Sequence, residues 1–237
     1  MSSVTTDLRK PPGLSDAADS AARRLGVSVD RVRTSPPPGE ATDADWLAEV
    51  DGESLCELVD GTLVEKTLGA DEASLAGHLI TLFELANEQL RQLTNAADPP
   101  YRLMGPDGPV RAGGNGRQPD VSVLAGGEWS PSRDNPRVAE APLLAVEVVS
   151  ESNTRREMLL RRQDDFAGGV REVWVADYEA LTVESWTDPT NPVVYGVGNA
   201  VPADVVFPGL RVPVEDWLRG RLVRRAVELA ATARPHS

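Results

Sequence analysis

The chain contains a single cysteine, Cys56, among its 237 residues. It can therefore form neither an intrachain disulfide bond nor a cysteine metal cluster. Hydrophobic residues make up 41% of the sequence, but they stand in runs too short to span a membrane. The N-terminal stretch MSSVTTDLRKPPG lacks the apolar segment of a secretory signal peptide. Together these absences predict a cytoplasmic protein, and 237 residues are enough for one well-buried core.

Positive charge is also scarce, and lysine most of all. The 37 acidic residues outnumber the 24 Lys and Arg, for a formal net charge of −13, and Lys10 and Lys66 are the only lysines. This balance argues against a high-affinity, nonspecific nucleic-acid binder, because such affinity rests on phosphate neutralisation. It leaves a metal-dependent nuclease open, since clustered carboxylates bind metal ions and local basic patches can steer DNA. Two groups of arginines could form such patches: Arg155, Arg156, Arg161 and Arg162, and Arg219, Arg221, Arg224 and Arg225. The second group is more typical of the polar face of an amphipathic helix.

Changes in the residue pattern divide the chain at about residue 42. Residues 1–42 are predicted to be an N-terminal extension, partly disordered, and residues 43–237 the main domain. Thr42 is predicted to cap a helix, and Asp60-Gly61 to turn a hairpin. Leucines at helical spacing from Leu75 to Leu93 predict a long helix over about 71–93. The segment VPVEDWLRGRLVRRAVELAATA predicts a closing amphipathic helix, and GGNGRQ and GGEWSPSRDNPR are predicted loops.

The most informative segment runs from Gln118 to Asp177. Pro119 has no backbone N–H and suits the first position of a strand, which places Asp120 at the end of a sheet. The next predicted strand, LLAVEVVS, carries Glu147 in an apolar run. An ionised carboxylate is costly to bury unless a cation or strong donors meet it. A divalent metal shared by Asp120 and Glu147 would meet this need. The alternatives are a neighbouring arginine for Glu147 and a turn-forming role after proline for Asp120.

A helix and a further strand follow this pair. Thr154 and Glu157 have the spacing of a capping box, and Gly168-Gly169 is a stop signal. VREVWVAD then predicts another strand. The order strand, strand, helix, strand within about sixty residues is typical of an α/β core.

These motifs resemble those of one nuclease family. The chain resembles the Uma-two family of the PD-(D/E)XK, restriction-endonuclease-like superfamily. The resemblance rests on the motifs PD-x-x-V, VEVVS-x-SNT-x-x-EM and F-A-x-G-V-R-x-V-W-V-x-D. It continues before them in CELVDGTLVEKTLG and after them in VVFPGLRVPVEDWL. The resemblance covers roughly residues 43–225. It implies a restriction-endonuclease-like core, a mixed β-sheet flanked by helices, and a DNA endonuclease that depends on Mg²⁺ or Mn²⁺. Asp120 and Glu147 match its two central carboxylates.

The resemblance also implies further site residues. The family's lysine lies on the helix after the second carboxylate, where this chain has Arg161, and Asp165 stands where the family has tyrosine. Glu57 and Glu72 match positions near the family's site and are predicted metal or water ligands. His78 is predicted to be a flanking histidine without a ligand role. If any lysine reaches the site, it is Lys66.

Each of these assignments has a structural alternative. Glu157, Arg161 and Asp165 are spaced as an ion-pair ladder on an exposed helix face, and Glu57 could be a solvated strand edge. If Arg161 has inherited the lysine's place, cleavage is expected to be slow and Arg161→Lys to raise its rate about tenfold. The ladder predicts no change in rate.

Two functional classes follow from these residues. The first is a divalent-metal-dependent DNA endonuclease, expected to be a homodimer because two-fold symmetry serves the cutting of both duplex strands. The second is a catalytically inactive nuclease-fold protein that binds nucleic acid or a protein partner.

Overall fold

The computed structural model describes residues 12–52, 54–67, 69–106, 108–126, 140–150 and 152–236. Residues 1–11, which belong to the N-terminal extension predicted to be partly disordered, lie outside the described residues, and so does most of the predicted loop GGEWSPSRDNPR. Helix α1 (Pro12–Leu25) opens the described chain, and a short 3-10 turn follows at Val29–Arg31.

The predicted helix after Thr42 is present as α2 (Asp43–Asp51). The Thr42 hydroxyl accepts from the backbone N–H of Asp45, and the Asp45 carboxylate accepts from the backbone N–H of Thr42 at 2.7 Å. This reciprocal cap satisfies two backbone groups that the first turn would leave without partners.

A four-stranded sheet follows, made of two hairpins. The first joins β1 (Cys56–Val59) to β2 (Thr62–Glu65) through Asp60 and Gly61, whose φ angles of 48° and 67° suit a tight turn. The strand order is β2-β1-β5-β4, where β4 is Val110–Ala112 and β5 is Asn115–Arg117. The prediction of a loop at GGNGRQ is therefore wrong in part, because Gly113 and Gly114 turn a second hairpin and the next three residues form its return strand.

A six-stranded mixed sheet forms the centre of the fold. Its order is β10-β9-β8-β7-β6-β3. The strands are β3 (Tyr101–Met104), β6 (Val121–Ala125), β7 (Leu144–Val149), β8 (Glu172–Asp177), β9 (Thr182–Trp186) and β10 (Pro192–Tyr195). Strands β7 and β8 run parallel and are joined by α4 (Arg155–Gly168), while the other pairs are antiparallel. The predicted mixed sheet flanked by helices is confirmed.

The two faces of this sheet are covered by different helices. Helix α3 (Ala70–Thr94) buries its leucine stripe against Val146 and Trp174 on one face. Leu93, the last member of the predicted stripe, is 50% exposed because the helix ends one residue later. On the other face Phe166 of α4 packs with Ala145 and Val173. Gly169 ends α4 in the left-handed conformation, with a φ of 99°.

The C-terminal segment does not form the single closing helix that its pattern predicts. It begins with β12 (Arg211–Pro213), which pairs with β11 (Ala200–Pro202), and continues as α5 (Val214–Leu218), a 3-10 turn at Leu222–Arg225 and α6 (Ala226–Ala230). Gly220 takes a φ of 66° and breaks the helix, and Trp217 and Leu222 pack into the central core. No helix among the described residues combines the length and the apolar character needed to cross a bilayer.

Candidate metal and nuclease site

Asp120 and Glu147 lie side by side, at the point where β6 begins beside β7. The backbone N–H of Asp120 donates to the carbonyl of Val146 at 3.0 Å, and Asp120 Oδ2 accepts from the backbone N–H of Val148 at 2.7 Å. Both bonds tie Asp120 to the strand that carries Glu147. The proximity expected from the sequence is therefore present, and Asp120 keeps its other oxygen, Oδ1, turned to the interior of the site.

Lys66 brings an ammonium group to this pair from just beyond the end of β2. Its Nζ lies 2.8 Å from Asp120 Oδ1 and 3.9 Å from Glu147 Oε2. It also donates to the backbone carbonyl of Gln118. The Lys66 side chain is 7% exposed, and Lys66 stands 54 positions before Asp120 in the sequence. The sequence did not predict whether Lys66 reaches the site. In the structure it contacts both predicted carboxylates.

Glu147 is held on its other side by Arg161. Arg161 Nη1 donates to Glu147 Oε1 at 2.7 Å. Burial raises the pKa of Glu147 to about 7, and Arg161 and Lys66 offset only part of this because Asp120 and Glu57 lie close by. The predicted alternative for Glu147, an arginine partner, is present together with the Asp120 pair. A carboxylate that is this hard to ionise gains from an added cation.

Glu57 receives a full set of donors from its neighbours. Arg161 donates to both of its oxygens at 2.9 and 2.8 Å, Arg117 donates to Oε2 at 3.0 Å, and the backbone N–H of Gln118 donates to Oε1 at 2.9 Å. Burial opposes ionisation, but the two guanidinium groups outweigh it and lower the pKa of Glu57 to about 2. Glu57 is 2% exposed, so the expected alternative of a solvated strand edge is wrong. Its geometry is that of a counter-ion for Arg161 and Arg117.

The alternative prediction of an exposed ion-pair ladder on α4 is also wrong. Glu157, Arg161 and Asp165 are all buried. Glu157 pairs with Arg31, whose Nη atoms lie 3.1 and 2.8 Å from its two oxygens. The i, i+4 spacing does place the three side chains on one face of α4, but that face points to the protein interior. The Glu157 carboxylate turns to Arg31, while the Thr154 hydroxyl still caps the helix by accepting from the backbone N–H of Glu157.

Asp165 stands out within this network. It is 0% exposed, and neither of its oxygens has a hydrogen-bond partner among the described residues. Burial, followed by the nearby Glu147, raises the pKa of Asp165 to about 7, although Arg161 and Arg117 act in the opposite direction. Below about pH 7 a protonated carboxyl is therefore favoured at this position in the ion-free protein.

Glu72 lies at the edge of the same site and His78 lies apart from it. Glu72 lines a cavity of about 10 Å³ together with Lys66, Asp120 and Glu147, and Tyr178 donates its hydroxyl to Glu72 Oε1 at 3.5 Å. A space of this size suits one water molecule. His78 stands one and a half turns further along α3, near Gly220.

The donor set was tested against the metal that the resemblance implies. Within the parts of the chain that the structure describes, no three His, Cys, Asp or Glu side chains are grouped so that they could hold an ion. Mg²⁺, however, is commonly bound by one or two carboxylates and retains several waters. Asp120 and Glu147 provide two such hard oxygen ligands, each with an oxygen directed at a single cationic group. These two residues fit Mg²⁺ or Mn²⁺, whereas both oxygens of Glu57 are already occupied by donors.

Sequence reasoning missed three residues of the network: Arg31, Arg117 and Gln118. Arg117 and Gln118 directly precede the Pro119-Asp120 pair, and a charged residue next to that motif was a usable signal. Arg31 lies in the N-terminal extension and lines the same cavity as Asp120. Nothing in its local sequence distinguishes it from the arginines of a solvated surface.

The chain is similar in sequence to one protein family and in fold to a solved structure. A family model described as Uma2, "Putative restriction endonuclease", matches residues 44–215. The fold is similar to that of a crystal structure from Anabaena variabilis ATCC 29413, described as a "putative nuclease belonging to DUF820", with a TM-score of 0.57 and 14% sequence identity over 70% of this chain and 90% of that one. No curated protein matches. The family match spans most of the chain, including every strand of the central sheet, and the protein therefore belongs to the Uma2 family.

Proposed function

We propose that this protein is a divalent-metal-dependent DNA endonuclease that hydrolyses phosphodiester bonds, with Asp120 and Glu147 as ligands of Mg²⁺ or Mn²⁺. Family and fold support a nuclease-like function in general. One observation carries the specific proposal: two buried carboxylates from neighbouring strands converge on the same ammonium group. Burying two acids side by side is unfavourable unless cations compensate them.

The ion and the protein's own residues would have separate tasks. A bound Mg²⁺ or Mn²⁺ would lower the pKa of a water molecule and neutralise charge on the phosphate. Asp120 presents a fixed oxygen, because the backbone N–H of Val148 holds its partner oxygen at 2.7 Å. Arg161 fixes Glu147 through Oε1, which leaves Oε2 directed at the site. Glu72 borders the same cavity and is the proposed water-mediated ligand.

Lys66, and not Arg161, is the proposed counterpart of the catalytic lysine of related nucleases. Its ammonium lies beside both proposed ligands. Both Nη groups of Arg161 are already bound to carboxylates, and Arg161 is 3% exposed. A guanidinium also cannot exchange a proton near neutral pH, whereas an ammonium can orient a water and stabilise phosphate charge.

The test is a cleavage assay on plasmid and single-stranded DNA with Mg²⁺ and with Mn²⁺. The parent protein should cleave DNA only with an ion present, and Asp120→Asn and Glu147→Gln should abolish both cleavage and calorimetric Mn²⁺ binding. Glu228→Gln removes an exposed acid and serves as the control. Unaltered Mn²⁺ binding in both site variants would contradict the ligand assignment.

Lys66→Met separates the role of the lysine from that of the ion. Cleavage should fall by about 10²–10⁴-fold, the range for a group that assists proton transfer or charge stabilisation. Mn²⁺ binding should persist or tighten, because the variant lacks the ammonium that competes for Asp120 and Glu147. Cleavage at the parent rate would leave Lys66 a structural counter-ion.

A binding module without catalysis is the second candidate. It is favoured by the absence of a three-residue metal-ligating group from the described part of the chain. This candidate is supported if neither ion binds and no DNA is cut, but the protein still slows the migration of DNA in a mobility assay.

The homodimer stays a prediction. Two active sites related by a two-fold axis would cut both strands of a duplex. Light scattering at micromolar concentration tests this, and a mass of 25.4 kDa under all conditions would show a monomer.

A further inference from the structure

A groove of about 380 Å³ lies beside the proposed metal site, between α4 and the central sheet. Its floor is apolar and is made by Val149 of β7 and Val175 of β8, while Met158 and Leu159 of α4 form the opposite wall. A volume of this order is typical of small-molecule and cofactor sites. The proposed mechanism does not use it.

The groove is continuous with the proposed metal site. Side chains alternate along a strand, so Glu147 and Val149 share one face of β7. Val175 stands directly opposite Glu147 in the parallel register of β7 and β8. Asn153 lines both the groove and the small cavity that contains Asp120 and Glu147. Whatever occupies the groove is therefore next to the reacting phosphate.

Arg162 gives the groove a cationic group whose Nε has no hydrogen-bond partner within the described parts of the chain. The centre of its guanidinium lies 3.5 Å from the ring centre of Trp186, which is close enough for a cation–π contact. Its Nε is buried. Burial lowers the pKa of Arg162. The guanidinium of Arg162 therefore lines the groove wall with donors that no described residue accepts from, and these donors are available to a ligand.

The remaining polar groups indicate what kind of ligand this is. Arg155, in the first turn of α4, adds a second positive charge, but Asp177 and Glu184 add two negative ones. Asp177 Oδ1 accepts from two backbone N–H groups and Glu184 Oε2 accepts from Trp186 Nε1, which leaves each carboxylate one further oxygen. A phosphate would meet two like charges here. A nucleobase suits the groove better, since it has apolar faces, acceptors for arginine and amino groups for carboxylates.

We propose that this groove binds one unpaired nucleobase of the DNA strand, adjacent to the phosphate that is cleaved. The proposal rests on the proposed nuclease function. A base within a duplex has its faces stacked and its edge paired, so only single-stranded or locally unpaired DNA can place a base here. The substrate class that follows is single-stranded DNA, or duplexes with unpaired nucleotides.

The test compares Arg162→Met with Arg224→Met, which removes an exposed arginine near the C-terminus. With Mn²⁺ and a single-stranded oligonucleotide, Arg162→Met should raise KM about tenfold, in keeping with the loss of one base contact, while kcat stays near the parent value. Arg224→Met should leave both constants unchanged. The parent should cleave single-stranded DNA in preference to a fully paired duplex.

Abasic oligonucleotides identify the bound base. Removing one base next to the cleaved phosphate should raise the parent's KM by a similar factor, and should add nothing further in Arg162→Met, because residues in contact are not additive. If Arg162→Met lowers the melting temperature, a second variant is needed that does not destabilise the fold. Leu159→Gln changes a half-exposed position of the groove wall and should raise KM in the same way. Fully additive effects, or a KM for Arg162→Met equal to that of Arg224→Met, would overturn the proposal.

A separate measurement keeps this proposal distinct from the nuclease function. If the parent cleaves no DNA with either ion, the nuclease function fails. Fluorescence anisotropy of a labelled single strand in EDTA then still decides about the groove: weaker binding by Arg162→Met than by Arg224→Met supports it, and equal binding overturns it.

Discussion

At the scale of single residues, Lys66 and Arg161 have different positions in the site, although from the sequence either could be the cation beside the carboxylates. Lys66 contacts the proposed ligands directly, with its Nζ 2.8 Å from Asp120. Arg161 lies behind them and connects Glu57 to Glu147 through its planar fork of donors. A lysine cannot reproduce that fork, because its ammonium is a single point of charge. Arg161 is accordingly a positioning residue for Glu147.

This geometry reverses the expectation for Arg161→Lys. The sequence-based hypothesis expects faster cleavage, but the variant loses at least one of three charged hydrogen bonds made by Arg161. We expect a loss of about 1–3 kcal/mol in the free energy of unfolding and slower cleavage. Urea denaturation and single-turnover rates with Mn²⁺ measure the two effects.

The matched control is Arg111→Lys at the half-exposed pair with Asp43, where the change should be below about 1 kcal/mol. A variant Arg161→Lys that is as stable as the parent and cleaves about tenfold faster would show that Arg161 does hold the place of the family's lysine.

At the scale of elements, the segment before residue 42 is tied to the start of α4. The Thr154 hydroxyl donates to the carbonyl of Gly26 at 2.5 Å, and Arg156 Nε donates to the carbonyl of Arg24 at 2.6 Å. Arg31 donates to Glu157 and, through Nε, to the carbonyl of Glu65 at 2.8 Å. Glu65 immediately precedes Lys66, and Glu157 lies one turn before Arg161. Arg31 therefore connects the two elements that carry the cations of the site.

Arg31→Met should destabilise the protein by about 3–5 kcal/mol, because it leaves Glu157 buried without a cation. The pair is almost fully buried, with side chains 5% and 4% exposed. Arg31→Leu combined with Glu157→Leu should be close to the parent in stability, since an apolar pair leaves no charge unpaired. Chemical denaturation of both variants measures this.

The control for this pair is Arg211→Met at a surface ion pair with side chains 49% and 51% exposed, which should cost less than about 1 kcal/mol. If Arg31→Met costs no more than the control, the pair does not secure α4. The double variant should also bind Mn²⁺ like the parent if Arg31 acts on stability alone, and more weakly if it also positions the site.

At the scale of the whole molecule, buried acids make stability depend on pH in two opposite ways. Glu57, with its pKa lowered from 4.5 to about 2, stabilises the fold above its unfolded pKa, and this contribution is lost as the pH falls towards 2. Glu147 and Asp165, with pKa values raised to about 7, behave in the reverse sense. The folded state keeps protons that the unfolded chain releases near pH 4, so their contribution is lost as the pH rises through about 7.

The ion-free protein should therefore lose stability between about pH 5 and about pH 8. Asp165→Asn should flatten this slope and raise the free energy of unfolding near pH 8 by roughly 1–4 kcal/mol, because it removes an acid that must ionise while buried. Thermal unfolding in EDTA across this range is the measurement, with Glu228→Gln as the exposed control.

Added Mn²⁺ should stabilise the protein most at the alkaline end, where Glu147 is ionised and free to bind it. A parent protein whose stability does not change between about pH 5 and about pH 8 would contradict the raised pKa values.

Local patterns in the sequence predicted much of this fold. The Thr42 cap, the Asp60-Gly61 turn and the Gly169 stop depend on neighbouring residues only, and all three are present. The adjacency of Asp120 and Glu147 could also be predicted, because the proline before Asp120 places it at the start of one strand and the apolar run around Glu147 places that residue inside the next. The prediction of a single C-terminal helix was wrong, because the periodicity of apolar residues does not show that Gly220 breaks the helix.

Which charges meet cannot be predicted from local patterns in the sequence. Lys66 and Asp120 are 54 positions apart, Glu57 and Arg161 are 104 apart, and Arg31 and Glu157 are 126 apart. The same i, i+4 spacing on α4 fits a solvated ladder or a buried face equally well, and the second arrangement exists because distant strands and the N-terminal segment supply the opposite charges. Short-range rules of backbone conformation are enough to predict the two carboxylates and the strands in or beside which they lie. The partners of those carboxylates depend on long-range packing, because a buried charge is stabilised by whichever donors the fold brings within hydrogen-bonding distance.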